Sequence, residues 1–246
     1  MPGSPNRSAI QLAVVTPMAN EGAEAVRFTT EVLKQCSGFK TVAFYAVIDR
    51  ATKDDTLERM RALELQEPRL KVVWAPENRC VVDAYLRGYR EALAGGADWI
   101  LEIDAGFSHQ PTDIPRFFDA MEQGYDCVFG SRFTAGSQIE ESALMRKIVS
   151  WGGTTLTNLA MGTSQTDMTS GFELFTRRTL ERILANGIHS RAHFFQTEIK
   201  VFCRNFKIVE VPITYRAASP GLGSKAIKDA FSQLFRLFQL RLQGKL

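Results

Sequence analysis

Histidine and cysteine are scarce in this sequence, and their placement excludes several kinds of site. The 246 residues include three histidines and four cysteines. The cysteines are widely spaced, form no Cys-x-x-Cys pair and lie in or beside apolar segments, at Cys36, Cys80, Cys127 and Cys203. The pattern therefore predicts no zinc site. It is typical of reduced core cysteines in a cytoplasmic protein.

The sequence also lacks a long apolar run, a strong net charge and the common nucleotide-binding motifs. No stretch approaches the ~18 apolar residues that cross a bilayer. Residues 1–9 lack the apolar core of a signal peptide and predict a loose leader. A formal net charge of +3 is too small to indicate nucleic acid as the main partner. No Gly-x-Gly-x-x-Gly follows the first strand and no Walker loop occurs, so the usual dinucleotide and P-loop classes are excluded.

What is present is an alternation of strand-like and helix-like segments. Apolar runs that predict buried strands lie at 10–16 (broken by Pro17), 41–48, 70–74, 99–103 and 126–129, with helical spacing between them. This order predicts an α/β fold with a mostly parallel, Rossmann-like sheet that is flanked by helices. With 45% hydrophobic residues, the chain supports one large core, which we assign to a domain of residues 10–225.

The second half has a different rhythm. A polar loop at 135–141 precedes a predicted helix at 145–161, and shorter elements follow at 172–175, 178–185, 197–203 and 207–211. A last helix, 226–242, carries apolar residues at three- or four-residue steps beside Lys and Arg, so residues 226–246 predict a C-terminal amphipathic helix. Such a helix either lies at a membrane surface or packs on the domain or on a second subunit, and a homo-oligomer stays open.

Carboxylates follow two of the predicted strands. Asp49 comes after the second strand, and Asp104 follows the fourth strand at the start of a polar turn. Ligands bind beyond the carboxyl ends of parallel strands, so both carboxylates are candidates for a divalent cation or a nucleotide. Glu102, two residues before Asp104, is a candidate for a further oxygen ligand on the same strand face. The alternatives are a turn cap for Asp104 and a salt bridge for Glu102.

Basic residues provide candidate phosphate ligands. Arg132 follows a strand end, Arg146 starts the long helix, and Lys225 follows a glycine-rich loop at 221–224 that is typical of a closing segment. Guanidinium groups in such places commonly bind phosphate. The alternatives are ordinary surface charges and a flexible linker.

Six motifs in a fixed order then give a resemblance. They are Pro17-Met-Ala-Asn-Glu21, Ile48-Asp-Arg-Ala-Thr-Lys-Asp-Asp-Thr56, Asp104-Ala-Gly-Phe-Ser-His-Gln-Pro111, Gly130-Ser-Arg-Phe133, Asp167-Met-Thr-Ser-Gly-Phe172, and Val211-Pro-Ile-Thr-Tyr-Arg216 with Gly223-Ser-Lys225. Over nearly the whole chain, the sequence resembles the inverting family 2 glycosyltransferases of the GT-A type. Within that family it is similar to the polyprenyl-phosphate glycosyltransferases, the group of the dolichol-phosphate mannose synthases.

The resemblance implies a set of roles. The nucleotide would be held by Pro17, Ala19, Glu21 and Asp49, and a Mg²⁺ or Mn²⁺ cation with the diphosphate by Asp104 and Ser108. The sugar and the acceptor phosphate would be surrounded by Arg132, Arg146, Ser150, Arg216 and Lys225; the catalytic set would be Asp104, Arg132, Arg146 and Lys225. The implied partners are a nucleoside-diphosphate sugar, with GDP-mannose first and UDP-sugars next, and a polyprenyl phosphate at the inner face of the membrane.

Three departures concern the donor side. Gly106 stands where the family has its second metal-binding Asp, Ala19 replaces a Tyr, and Arg50 replaces an acid. We therefore expect a weakened cation site, for which Ser108 or Glu102 is a candidate compensation. A soluble or polysaccharide acceptor stays open, as does a binding protein without turnover.

Overall fold

A seven-stranded sheet forms the centre of the computed structural model, which describes residues 6–140, 144–216 and 223–246, without the side chains of residues 144–149. Its strands are β1 (Gln11–Met18), β2 (Thr41–Ile48), β3 (Leu70–Trp74), β4 (Trp99–Glu102), β5 (Cys127–Ser131), β7 (Glu173–Thr176) and β8 (Ile208–Pro212). The order is β3-β2-β1-β4-β7-β5-β8, and β7 runs antiparallel to both of its neighbours. The predicted α/β fold with a mostly parallel sheet is confirmed.

Helices cover both faces of this sheet. They are α1 (Ala23–Gln35), α2 (Thr56–Glu64), α3 (Val81–Ala94), α4 (Ile114–Glu122), α5 (Leu144–Met161), α6 (Arg177–Asn186), α7 (Phe194–Phe202) and α8 (Ser224–Leu242). Successive side chains of a strand point to opposite faces. Val14 accordingly packs in the core under α1, α2 and α4, whereas Val15 packs in the core under α3, α6 and α7.

The first strand runs past its predicted end. Pro17 and Met18 pair with Val47 and Ile48 of β2, so Pro17 does not break the strand. The carbonyl of Val15 accepts a hydrogen bond from the N–H of Ile103, on the β4 side. Pro17, two residues later, faces the same side beyond the last paired residue of β4, so its missing N–H leaves no pairing unmade.

The sequence pattern did not predict two short strands, one in the polar loop at 135–141 and one in a segment without an assignment. β6 (Gln138–Glu140) and β9 (Thr214–Arg216) form a separate parallel pair beside the main sheet. Each has three residues, too few to show a two-residue alternation in the sequence.

The described part of the leader is packed against the domain. Residues Arg7–Ala9 form a 3₁₀ helix, and the Arg7 guanidinium contacts Asp119 and Glu122 at 3.0 and 2.6 Å. The prediction of a loose leader is therefore wrong for residues 6–9, because these ion pairs fix them to α4.

The last helix packs one face on the domain. Leu237 is fully buried, Ser190 Oγ lies 2.6 Å from Asp229 Oδ2, and the Arg241 guanidinium donates to the Ala160 carbonyl at 2.6 Å. Arg236 pairs with the buried Glu198 of α7. Packing on the domain, one of the two predicted alternatives, is thus observed for this face.

Gly88 lies where α3 packs tightly on β1 and β2. A Cβ there would lie 2.3 Å from Val15 Cγ1 and 3.1 Å from Val47 Cγ2. We expect Gly88→Ala to lower the free energy of unfolding by about 1–3 kcal/mol through overpacking, measured by urea denaturation. Gly152→Ala is the matched control, because a Cβ there meets nothing within 4 Å. It is expected to be neutral or to stabilise by up to ~1 kcal/mol; equal losses in both would contradict the packing argument.

Candidate active site

A cavity of about 1220 Å³ opens beyond the carboxyl ends of β1, β2 and β4. Most of the residues that the sequence singled out line it: Pro17, Ala19, Glu21, Asp49, Asp104, Ser108, Arg132 and Ser150. Parallel strands deliver their ends to one edge of the sheet, which is why residues far apart in the sequence meet here.

Asp104 stands at the floor of this cavity. The Tyr85 hydroxyl of α3 donates to Asp104 Oδ1, and the Asp104 side chain is 45% exposed. Burial, and next the Asp104 charge, raise the pKa of Tyr85 well above its usual value, so the phenol keeps its proton and remains a donor. Asp104 is therefore fixed through one oxygen while its side chain lines the cavity.

His109 lies beneath Asp104 as a neutral imidazole. It is buried between the rings of Phe172 and Tyr215, and its Nδ1 lies 3.6 Å from Asp104 Oδ2. Burial lowers the pKa of His109 to about 4. Neither ring nitrogen has a hydrogen-bond partner among the described residues. At neutral pH this residue adds no charge to the site.

Glu102 does not face the cavity. It is fully buried and accepts hydrogen bonds from the Tyr89 hydroxyl and the Gln196 amide. Burial, and next the neighbouring Glu173, raise the pKa of Glu102 well above its usual value. The hypothesis that Glu102 adds an oxygen ligand beside Asp104 is therefore wrong.

Glu21 enters the cavity beside the turn that follows Asp104. The backbone N–H groups of Glu21 and Gly22 donate to Thr56 Oγ1 at 2.9 and 2.8 Å, which fixes the chain there. Burial, then the charges of Asp54 and Asp104, raise the pKa of Glu21. The two carboxylates of Glu21 and Asp104 are thus close enough to repel each other.

Asp49 occupies the end of β2. Its Oδ1 accepts a hydrogen bond from the Ala51 N–H at 2.8 Å, so the carboxylate caps its own turn while it lines the cavity. The predicted pairing of Asp49 and Asp104 around one hollow is observed; their roles stay predictions.

Arg132 reaches the cavity wall as one half of a buried ion pair. Its Nε and Nη2 lie 2.7 and 2.8 Å from the two oxygens of Asp167, and Nη2 also lies 2.5 Å from Thr169 Oγ1. The guanidinium also lies over the Tyr215 ring. Burial alone would raise the pKa of Asp167, but Arg132 outweighs it and holds that pKa far below its usual range. The Arg132 guanidinium is therefore fixed in position, and the Asp167 carboxylate balances its charge.

The other predicted cations lie elsewhere. Arg216 is exposed and pairs with Glu140 at 2.7 Å, and Lys225 is exposed in the first turn of α8; neither is among the lining residues of the described chain. The predicted contact of Arg216 and Lys225 with the acceptor therefore stays a prediction, and it would require these side chains to reach the cavity from outside its described lining. The Arg146 side chain lies outside the described residues.

The cavity also has an apolar end that the site prediction missed. It is lined by Leu156 and Thr157 of α5 and by Ile227, Ala230, Phe231 and Leu234 of α8. Helical spacing marked these residues as apolar faces, but only tertiary packing places the two helices beside the strand ends. Among the described residues, no group of three or more His, Cys, Asp or Glu side chains is arranged to hold a metal ion.

Known protein sequences resemble this chain in a consistent way. The model of the family described as Glycosyl transferase family 2 matches residues 13–184. The chain is 32% identical over 171 residues to undecaprenyl-phosphate mannosyltransferase of Micrococcus luteus, covering 69% of this chain and 70% of that protein. It is 27% identical over 203 residues to polyprenol monophosphomannose synthase of Mycolicibacterium smegmatis, covering 81% and 77%.

Solved structures agree with the fold. Glucosyl-3-phosphoglycerate synthase from Mycobacterium tuberculosis in complex with UDP superposes with a TM-score of 0.69 at 16% identity, covering 94% of this chain and 82% of that chain. The same protein in complex with Mn²⁺, UDP-glucose and glycerol 3-phosphate gives a TM-score of 0.67 at 15% identity, covering 96% and 81%. At such identities the likeness concerns the fold alone.

Proposed function

This chain belongs to glycosyl transferase family 2, and from that premise we propose that it transfers a sugar from a nucleoside-diphosphate sugar to a polyprenyl phosphate, with inversion. Mannose from GDP-mannose is the proposed donor group, because the relatives from Micrococcus luteus and Mycolicibacterium smegmatis are named for mannose transfer. The observation that carries the proposal is that one continuous cavity joins a carboxylate-lined end to an apolar end.

The polar end suits the donor. Asp49 at the end of β2 would hold the nucleoside, together with the backbone around Pro17 and Ala19. The diphosphate would lie at Asp104, near the turn that contains Ser108. These five residues line one cavity, so a donor bound at β2 reaches the end of β4 without leaving it.

The reaction needs positioning more than proton transfer. An oxygen of the acceptor phosphate attacks the anomeric carbon, the bond from that carbon to the diphosphate oxygen breaks, and the nucleoside diphosphate leaves with the bond electrons. A phosphate monoester is already an anion at neutral pH, so no general base is required. The neutral, buried His109 agrees with this chemistry, and the Arg132–Asp167 pair would orient the acceptor phosphate without adding a free charge.

The residues at the polar end fit a divalent cation that is shared with a diphosphate. Mg²⁺ is commonly bound by one or two carboxylates together with substrate phosphates. Asp104 lines the cavity, and its Oδ2 lies 3.6 Å from His109 Nδ1, which has no partner among the described residues, while the neutral Ser108 is a weaker candidate. When bound, Mg²⁺ or Mn²⁺ would neutralise the charge of the leaving diphosphate.

The apolar end suits a lipid chain. Leu156 of α5 and Ile227 and Phe231 of α8 line the cavity and are also partly exposed at its mouth. A polyprenyl chain could leave the cavity between these helices while its phosphate stays near Arg132. A soluble acceptor has no lipid chain, so it would not need an apolar path out of the cavity.

We also propose that the α5–α8 face rests on the membrane, at its inner side. Large apolar side chains are exposed there, at Trp151, Leu159, Phe235, Phe238 and Leu242, with Lys228 and Lys245 on the same helix or just after it. Within the described chain, no helix combines the length and apolarity that crossing a bilayer requires. An interfacial contact is the form of attachment that such a face allows.

The exposed apolar residues of α8 give a direct test. Phe235 and Leu242 are 63% and 73% exposed and do not line the cavity. Replacing both by Ser is expected to weaken co-sedimentation with anionic vesicles at least about tenfold, because apolar area no longer enters the interface. Leu65→Ser is the control, since Leu65 is 90% exposed at the end of α2. Equal binding of both variants and the wild type would remove the membrane contact.

The transfer itself is tested in two steps. Thermal shifts with GDP-mannose and UDP-glucose, with and without Mn²⁺, identify the donor, because a bound ligand raises the apparent stability. Label from the donor should then enter the lipid extract when polyprenyl phosphate is added. Label in a soluble or polysaccharide product would redirect the acceptor, and binding without any transfer would indicate a non-catalytic protein.

A further inference from the structure

We infer that Glu21, at the start of α1, supplies the second carboxylate of the cation and diphosphate site, acting together with Asp104. The inference rests on the proposed function and concerns the metal-binding residues of that site. It reassigns Glu21, which the sequence placed with the nucleotide.

The geometry around Gly106 is the first observation. Gly106 lies in the turn two residues after Asp104, with φ +75°. A Cβ on this residue would lie 2.9 Å from Glu21 Oε2 and 3.8 Å from Oε1. The Glu21 carboxylate therefore occupies the space that a side chain at position 106 would need. Two carboxylates thus lie at the turn after β4: Asp104 belongs to the turn itself, and Glu21 comes from the segment that follows β1.

The way Glu21 is held is the second observation. Both backbone N–H bonds to Thr56 Oγ1 fix the chain before α1, and the Thr56 hydroxyl is in turn bound to Asp54 Oδ1 at 2.6 Å. The Glu21 side chain makes no hydrogen bond or ion pair among the described residues, although it lines the cavity. A fixed backbone with an uncommitted carboxylate suits a ligand better than a structural contact.

The buried imidazole of His109 is an independent sign of a ligand at this place. Its side chain is only 2% exposed, it lines the cavity, and both ring nitrogens lack hydrogen-bond partners in the described chain. Buried polar groups are normally bonded, so this arrangement indicates a further group near Asp104 Oδ2. A hydrated divalent cation offers oxygen atoms that can meet such a need.

The other oxygen-bearing residues are less suited. Glu102 is committed to Tyr89 and Gln196, Asp49 caps the turn at Ala51, and Ser108 carries no charge. Glu21 and Asp104 remain as two carboxylates whose mutual repulsion a divalent cation would relieve.

Mn²⁺ binding in the presence of GDP tests the inference without a turnover assay. Electron paramagnetic resonance measures free Mn²⁺, and the titration is run with UDP if GDP does not bind. Glu21→Gln is expected to weaken Mn²⁺ binding by about tenfold or more, with nucleotide affinity in EDTA unchanged. Glu24→Gln is the matched control, because Glu24 lies three residues further on, in the first turn of α1, pairs with Arg27 and does not line the cavity.

A compensating pair makes the test sharper. Gly106→Asp alone should not tighten Mn²⁺ binding, because the new side chain meets Glu21. Glu21→Ala with Gly106→Asp removes that contact and supplies a carboxylate on the turn, and Asp tolerates a positive φ better than most residues. We expect this double variant to recover most of the Mn²⁺ affinity that Glu21→Ala loses.

Each outcome has one meaning. Wild-type Mn²⁺ affinity in Glu21→Gln, or a double variant no better than Glu21→Ala, overturns the role of Glu21. GDP or UDP binding that Mn²⁺ never accompanies overturns the inference and leaves the transfer proposal standing. Binding of neither nucleotide overturns the proposed function itself. Melting temperatures without Mn²⁺ show whether each variant is folded, and the isosteric Glu21→Gln carries the decision if Glu21→Ala is not.

Discussion

Asp104→Asn is expected to lower kcat/KM for sugar transfer by about 10²–10³-fold, because it removes the carboxylate that would hold a divalent cation against the leaving diphosphate. The substitution keeps the shape of the side chain, and the amide oxygen can still accept the hydrogen bond of Tyr85. Loss of the repulsion with Glu21 should leave the melting temperature unchanged or slightly raised. The loss is therefore expected in the chemistry and not in the fold.

Asp49→Asn tests whether the expected loss of activity is specific to Asp104 or follows from removing any carboxylate that lines the cavity. It removes the same charge from the end of β2, where we place the nucleoside. We expect it to raise KM for the donor while kcat is largely kept, since a contact made equally in ground and transition states affects binding alone. Steady-state kinetics with purified lipid acceptor measure both variants. An Asp104→Asn enzyme with wild-type kcat would show that the chemistry occurs elsewhere.

The strand ends could be predicted because their signal is local. A buried parallel strand is a short apolar run, and the carboxylate that ends it is visible in the same few residues. Asp49 and Asp104 were found in this way, and the rule that parallel strands end at one edge put them in one cavity. The six ordered motifs added the family, which the sequence comparisons confirm.

The hydrogen-bond and ion-pair partners of the site residues could not be predicted, because they come from elements that meet only in the folded chain. Tyr85 is 19 residues from Asp104, and Asp167 is 35 residues from Arg132. β7 enters the sheet antiparallel between β4 and β5, an order that no local pattern encodes. This strand also brings Glu173 beside Glu102, and the buried Lys200 of α7 pairs with Glu173 at 2.8 Å.

The error at Glu102 has a clear origin. The two-residue alternation of a strand predicts that Glu102 and Asp104 share a face. Both side chains do face α3, since the Tyr85 hydroxyl bonds Asp104 and the Tyr89 hydroxyl, one helical turn on, bonds Glu102. They differ in depth, because Asp104 lies beyond the end of β4 and Glu102 lies within it. Glu102 remains in the sheet and is buried under α3 and α7 by Tyr89 and Gln196.

Asp167→Asn is expected to have the largest effect on stability, a loss of about 3–5 kcal/mol in the free energy of unfolding. The side chains of Arg132 and Asp167 are only 9% and 0% exposed, so the variant leaves a guanidinium buried without its counter-charge. Arg132→Gln should also destabilise, and the double variant should lose less than the sum of the two, since neither charge is then left alone. Urea denaturation measures all three. Glu181→Gln is the control, because its pair with Arg177 on α6 is largely exposed and worth ~0.5 kcal/mol or less.

The same ion pair predicts how stability depends on pH. The pKa of Asp167 is held far below its usual range by Arg132, so the folded protein keeps this carboxylate charged where an unfolded chain would protonate it. A group with a lowered folded pKa contributes fully above its unfolded pKa, about 3.9 for Asp, and its contribution falls as the pH drops below that value. The difference in unfolding free energy between wild type and Asp167→Asn should therefore be constant near neutral pH and shrink in acid. A difference that stays the same down to the acid limit of the native state would show that the carboxylate acts by its shape and hydrogen bonds, and not by its charge.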